Sequence, residues 1–187
     1  GDTVIRIEAT VENVQEDVAI TGNVDKWHLN GRPYLGYKVM TPTEAIPIQY
    51  EGQLEVMLST DLIFGGIFGF MAVDLRDQIL KKDFDFIENM INRQTGGNKD
   101  KVVKRETFEK NGVQLTDVTL LGPEGHTRMQ FAFANKIVYS FYIQNNLEEL
   151  DKPYVNAFFE SIEISKPEIE ASAWSLLMEE TGAFKAV

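Results

Sequence analysis

Hydrophobic and polar residues alternate with period two over residues 3–11, where Ile5, Ile7, Ala9 and Val11 share one side and Arg6, Glu8 and Thr10 the other. That pattern predicts a half-buried strand, with Val18 to Ile20 placed to pair with it. Asn30-Gly31 and Asn111-Gly112 supply residues that tolerate positive φ, as tight hairpin turns demand. The first predicts a hairpin of Trp27–Leu29 with Tyr34–Met40, the second one of Val102–Phe108 with Val113–Leu120. Turns at Gly122-Pro123-Glu124-Gly125 and Asn135-Lys136 extend the second into a four-strand meander from Lys101 to Ile143. In its last two strands Met129, Phe131 and Phe133 line up on one face, and Ile137, Tyr139, Phe141 and Ile143 on another. A one-residue slip would turn each set to the opposite side, so the register is well specified.

Three stretches change to helical spacing. Asp83 is placed to cap the first, whose stripe is Phe84, Ile87 and Ile91, flanked by Phe86 and Met90, and Gly96-Gly97 ends it. The second starts near Asp151 with Pro153 in its first turn; Tyr154, Ala157, Phe158 and Ser161 share its face, widened by Phe159 and Ile162, before a short strand at Ile162–Ile164. The third opens with Ser165 and Glu168 as a capping box, carries Ile169, Ala173, Leu176 and Leu177 inward, and stops at Gly182. Strands and helices are segregated along the chain rather than alternating, which predicts an α+β domain built on a mostly antiparallel sheet. The expected division is one domain over residues 1–165 and a helical appendage over 166–187.

The most apolar run, Leu62 to Val73, spans 12 residues and contains Gly65, Gly66 and Gly69. A membrane-spanning helix needs about 20. The run reads as a buried strand or a loop under the sheet, or alternatively as a dimer face or the wall of an apolar pocket. Its glycines do not form a dinucleotide loop and no Walker lysine follows. Leu62, Phe64, Ile67, Phe68, Phe70 and Trp174 are the expected interaction surface, for a protein partner or for self-association.

Charge narrows the partners. With 29 acidic residues against 18 basic ones the chain carries a net −11, concentrated at both ends. Such a surface repels a phosphate backbone, and no nucleic-acid partner is expected. The dense basic run Lys99, Lys101, Lys104, Arg105 and Lys110 is interleaved with Asp100, Glu106 and Glu109 and reads as a solvated strand face. Strand aromatics such as Tyr34, Tyr37, Phe131 and Tyr139 have only Arg128 and Lys136 as basic neighbours. The RNA-stacking pattern fails, leaving the rings to packing.

Candidate chemistry is thin. There is no cysteine, which removes disulfides, thiol nucleophiles and cysteine metal sites. His28 and His126 lie outside any zinc-ligand spacing. A triad with Ser140 or Ser161 would lack the nucleophile elbow. Asp74, Asp77, Asp83 and Asp85 could include a carboxylate pair of the kind glycosidases use, yet they read more simply as caps and solvated charges. No catalytic, cofactor or metal residues are therefore assigned. The start at Gly1-Asp2, without methionine, reads as the mark of a removed leader and predicts an exported protein, periplasmic or at the cell surface, with a cytoplasmic one as the alternative.

The order strand, tight turn, strand, helix, exit strand over residues 131–164 is carried by Phe131, Phe133, Asn135, Ile137, Tyr139, Phe158, Phe159, Ser161 and Ile162, and the helix at 83–94 before the meander fits the same order, extending it to residues 83–164. In this it resembles the C-terminal half of the Mog1/PsbP-like domains. The resemblance implies an α/β/α sandwich, with helices covering an antiparallel sheet, and a non-enzymatic binding or assembly role without catalytic residues to carry over. On that reading the chain is an accessory domain docking on a protein partner, in the bacterial cell envelope. The alternative is a carrier of an apolar small molecule held between sheet and helices.

Overall fold

A computed structural model describes residues 24–50, 54–60 and 65–168. Strands β1 (His28–Arg32) and β2 (Tyr37–Thr41) form a hairpin. The chain continues through β3 (Ile46–Tyr50), β4 (Leu54–Thr60), β5 (Ile67–Asp74), helix α1 (Phe86–Thr95), β6 (Val102–Lys110), β7 (Val113–Gly122), β8 (Gly125–Ala134), β9 (Ile137–Asn145), helix α2 (Pro153–Glu160) and β10 (Glu163–Ile164). Two sheets result, a small one ordered β1-β2-β10 and a seven-stranded one ordered β3-β4-β5-β9-β8-β7-β6. Every pairing is antiparallel.

The meander forms as its turn chemistry predicts. Asn111 and Gly112 adopt φ of 52° and 79°, and Asn135 and Lys136 φ of 55° and 60°. These are the left-handed values a two-residue hairpin turn requires. Helix α1 ends on Gly96 at φ 62°. Its cap is Asp85 rather than Asp83: the Asp85 carboxylate accepts the Glu88 N–H at 3.0 Å, while Asp83 lies exposed two residues upstream. Pro153 begins α2 as expected.

The first hairpin departs from expectation. Asn30 and Gly31 lie inside β1, paired with Val39 and Lys38. The chain instead reverses at Pro33–Leu35, a short 3-10 turn closed by Gly36 at φ 70°. Pro33 presets the turn and Gly36 supplies the left-handed residue. Asn30, freed from the turn, donates across the hairpin to Thr41 Oγ1 at 2.8 Å. A Cβ on Gly36 would lie 2.3 Å from Ser165 O, because the chain leaving β10 runs against this turn. Ser165 N–H donates to Gly36 O (2.8 Å) and Glu168 N–H to Pro33 O (3.1 Å). Residues 165–168 therefore bind the turn and carry no helical turn of their own. The strand at 3–11, Val18–Ile20 and the third helix beyond Glu168 lie outside the described residues.

Alternation along the central strands serves two cores at once. One set (Phe68, Phe70, Tyr139, Phe141 and Ile143, with Ala132 and Leu115) packs against Tyr37 and Val39 of β2 and Tyr154, Phe158 and Phe159 of α2. The other set (Val118, Leu120, Met129 and Phe131) packs against Ile91, Ile87 and Met90 of α1. Phe133 ends that row 40% exposed, stacked on Phe86 at 4.8 Å. The run Leu62–Val73 thus becomes, over its described part, an interior strand flanked by β4 and β9.

Gly69 sits on β5 opposite Tyr142, whose ring occupies the space a side chain would take: a Cβ would fall 2.2 Å from its Cζ. Gly69→Ala is expected to lower stability by about 1–2 kcal/mol, the cost of overpacking. In a Tyr142→Ala background the same change should cost less than about 0.5 kcal/mol, because the collision is gone. Urea unfolding of the four proteins measures that coupling, and equal costs in both backgrounds would contradict the contact.

Candidate functional site

Polar side chains are brought together in two places. At one end, the Asp74 carboxylate accepts Arg76 Nε and one terminal nitrogen, each at 2.9 Å. Arg76 also donates to Tyr34 O at 3.0 Å, and the Tyr139 hydroxyl donates to Leu35 O. These bonds hold the Pro33–Leu35 turn onto the large sheet. Burial pushes the Tyr139 phenol up; Arg76 pulls it back, Asp74 and Tyr37 add to the rise, and the result is about 12.

The second place lies under α2. Asp117, Gln130 and Arg128 project from β7 and β8 into the side occupied by α2, at the same parity as Phe141 and Tyr139. Arg128 donates to Asp117 through Nε and one terminal nitrogen, the latter at 3.0 Å. Its other terminal nitrogen reaches Asn156 Oδ1 (2.8 Å) and Leu150 O (2.9 Å). The guanidinium lies 4.7 Å over the Phe159 ring, a cation–π placement. Gln130 Nε2 donates to Asp117 Oδ2 at 2.7 Å. The side chains of Arg128 and Asp117 are 15% and 8% exposed, so the pair is largely desolvated. Removing one partner of such a pair costs about 3–5 kcal/mol. Lys110 closes the far end of α2, donating to Glu160 O (2.6 Å) and Ile162 O (2.7 Å). Sequence reasoning named Arg128 only as a basic neighbour of the strand aromatics and missed this network. The available signal was parity, since Arg128 and Gln130 alternate with Met129 and Phe131 and pair with Ile143 and Phe141 of the apolar row on β9.

The other sequence candidates are scattered. His28 begins β1 of the small sheet, and His126 lies in β8 of the large one. Ser161 Oγ donates to Phe158 O and accepts the Met40 N–H, which ties α2 to β2. Ser140 is buried between Phe131 and Met71 on the neighbouring strands. Asp77 and Asp83 are exposed, while Asp74 and Asp85 serve Arg76 and the α1 cap. Among the described residues no three His, Asp or Glu side chains converge as a metal site needs. Of the basic run, Arg105 pairs with Glu88 across an exposed 2.9 Å contact. A cavity of about 310 Å³ lies between the sheets, bounded by His28, Asn30, Arg32, Glu44, Met57 and Phe70. Its lining is mainly polar.

The expected interaction surface divides. Phe68 and Phe70 are 0% and 1% exposed, joined to the core by ring contacts to Trp27, Phe158 and Tyr37, and are out of a partner's reach. Ile67 is 37% exposed. Leu62, Phe64 and Trp174 lie outside the described residues. The sequence did not single out Ile46 and Ile48, which stand 63% and 45% exposed on edge strand β3. Register places them on one face with Leu58 and Val56 of β4 and with Ile67 of β5.

No family model matches the chain, and no curated protein matches it in sequence. In three dimensions it is similar to the solution structure of cyanobacterial PsbP (CyanoP) from Synechocystis sp. PCC 6803. The TM-score is 0.54 at 12% sequence identity, over 74% of this chain and 92% of that one. The fold is therefore PsbP-like: mostly antiparallel sheet with two described helices. No described helix is long and apolar enough to cross a membrane.

Tyr139 provides a test of the first cluster. Its phenol titrates near 12 folded and near 10 unfolded, so the stability it contributes is complete below pH 10 and is lost as pH rises towards 12. At pH 8, Tyr139→Phe should be less stable than wild type by about 1 kcal/mol, from the lost hydrogen bond. Wild type should then lose about 2 kcal/mol relative to the variant between pH 10 and 12. Urea unfolding across that range reads the difference; two parallel stability curves would contradict the assignment.

Proposed function

We propose that this chain is a non-enzymatic accessory domain that docks on a protein partner through the face built by β3, β4 and β5. The observation that carries the reading is the row of Ile46 and Ile48 on an uncharged edge strand, continued by half-buried Val56 and Leu58 and by Ile67. Sheet edges left to water are usually protected by charge, and contiguous exposed apolar surface marks interaction sites. The two edges of the large sheet differ in this respect. Edge strand β6 presents Lys104, Arg105, Glu106 and Glu109, whereas β3 reads Ile-Pro-Ile-Gln-Tyr. Pro47 removes one donor from that edge, which favours docking onto the face over addition of a long strand.

The PsbP-like fold supports an accessory role by likeness alone, since a fold hosts many functions. Placement in the bacterial envelope, residues 166–187 as an appendage, and helices covering both sides of the large sheet belong to the same reading. A carrier of apolar molecules is the weaker alternative, because the cavity between the sheets is lined mainly by polar groups.

A photo-crosslinking residue at position 48 tests the assignment in the native cell. It should give a discrete adduct with one protein, a partner or a second copy, while the same probe at position 106 on the opposite edge gives none. No adduct at 48, or equal adducts at both positions, would overturn the docking face.

A further inference from the structure

One end of the large sheet sets cations beside exposed apolar side chains. It is the end where β5 stops at Asp74 and β9 starts at Ile137, the two residues paired with each other. There Arg76, Asn135, Lys136, Lys166 and Pro167 bound a cavity of about 280 Å³. Three of these five residues are cations, and among the described residues no carboxylate lines the cavity. In a chain that carries −11 this is a local reversal of sign. The neighbouring carboxylates lie off this wall. Asp74 is paired with Arg76 at 2.9 Å, Asp85 accepts the Glu88 N–H, and Asp77 and Asp83 share their loop with Lys81 and Lys82. Lys136 donates through Nζ to Gln78 O at 3.3 Å, which ties the cavity wall to that loop.

The loop carries the apolar half. Ile79, the residue after Gln78, is 104% exposed, so no neighbour shields it. Phe84 and Phe133 are 44% and 40% exposed and are joined through Phe86 by ring contacts of 4.7 and 4.8 Å. Phe133 comes two residues before Asn135 of the cavity wall. We propose that this end of the molecule docks on an anionic lipid surface, with a phosphate headgroup in the cavity and Ile79, Phe84 and Phe133 at the acyl boundary. Interfacial binding combines buried apolar area with attraction between basic groups and anionic lipid. The Asn135 amide adds a neutral donor for headgroup oxygens. A side chain that projects alone offers a folded protein no packed surface to match, whereas lipid closes around it without needing a complementary shape.

Vesicle cosedimentation of the full chain at low salt tests the site. Vesicles of equal parts phosphatidylcholine and phosphatidylglycerol should bind it with half-saturation at or below about 1 mM lipid. Vesicles of phosphatidylcholine alone should bind it at least about tenfold more weakly. Ile79→Ser changes a side chain with no neighbour, so Tm should hold while binding weakens at least about tenfold. Lys136→Asn places a residue that tolerates the left-handed φ of 60° at that position and should weaken binding about fivefold. Leu121→Ser alters an apolar residue, 46% exposed, at the opposite end of the strand ladder and should leave binding unchanged. No binding to the mixed vesicles, equal binding to both compositions, or the same loss from Leu121→Ser as from Ile79→Ser would overturn the site. So would full displacement by glycerol phosphate or polyglutamate at the lipid's own concentration, because a free phosphate or an acidic protein segment would then suffice.

Discussion

Tyr37 is the side chain on which the joining of the two sheets rests. It projects from β2 of the small sheet and makes edge-on contacts with Phe70, Tyr139 and Phe141, at centroid distances of 5.9, 6.1 and 6.0 Å. Those three rings come from β5 and β9, the adjacent inner strands of the large sheet. Edge-to-face pairs of this kind add about 0.5–1.5 kcal/mol each beyond the area they bury. The wedge fixes where the small sheet lies, and the bonds from Tyr139 to Leu35 O and from Arg76 to Tyr34 O secure the turn just before Tyr37. Phe68 extends the same cluster to Trp27 before β1 and to Phe158 on α2. One continuous set of rings therefore positions the hairpin, the central strands and the last helix.

With β5, β8 and β9 committed to two cores, little of the central sheet is left for partners. The accessible chemistry lies at the margins. One is the neutral apolar edge at β3, the other the acceptor-rich hollow between β6, β7, β8 and α2. The first is the proposed docking face, and the second is closed by the bonds of Arg128 to Asp117, Asn156 and Leu150 O. They lie at opposite edges of the same sheet.

The meander was legible in the sequence because its signals are local. Asn-Gly and Asn-Lys turns flank strands whose alternation is unbroken, and the register follows from both. The first hairpin was misplaced because Asn30-Gly31 carries the same dipeptide signal as Asn111-Gly112, while the reversal was set by Pro33 and Gly36 and by contact with Ser165, more than a hundred residues away in the chain. Asp83 and Asp85 are equivalent as caps by residue type; packing of Phe86 on Phe133 fixes where α1 begins. Phe68 and Phe70 were read as a surface because a run of twelve apolar residues does not reveal that it is flanked on both sides by other strands. The Arg128–Asp117 pair was hidden for the opposite reason. Its charged residue types suggest solvent, and only the pairing of β7 with β8 brings them together under a helix.

The central claim is that the small sheet and the large one form a single cooperative unit joined by the Tyr37 cluster. Native-state hydrogen exchange tests it directly. The backbone amides of Val39 on β2 and Phe141 on β9 should exchange with the same opening free energy and the same denaturant dependence, the signature of shared global unfolding. Exchange at Val39 through a much smaller opening that is insensitive to denaturant would show the hairpin to be a separate, loosely attached layer and would contradict this account.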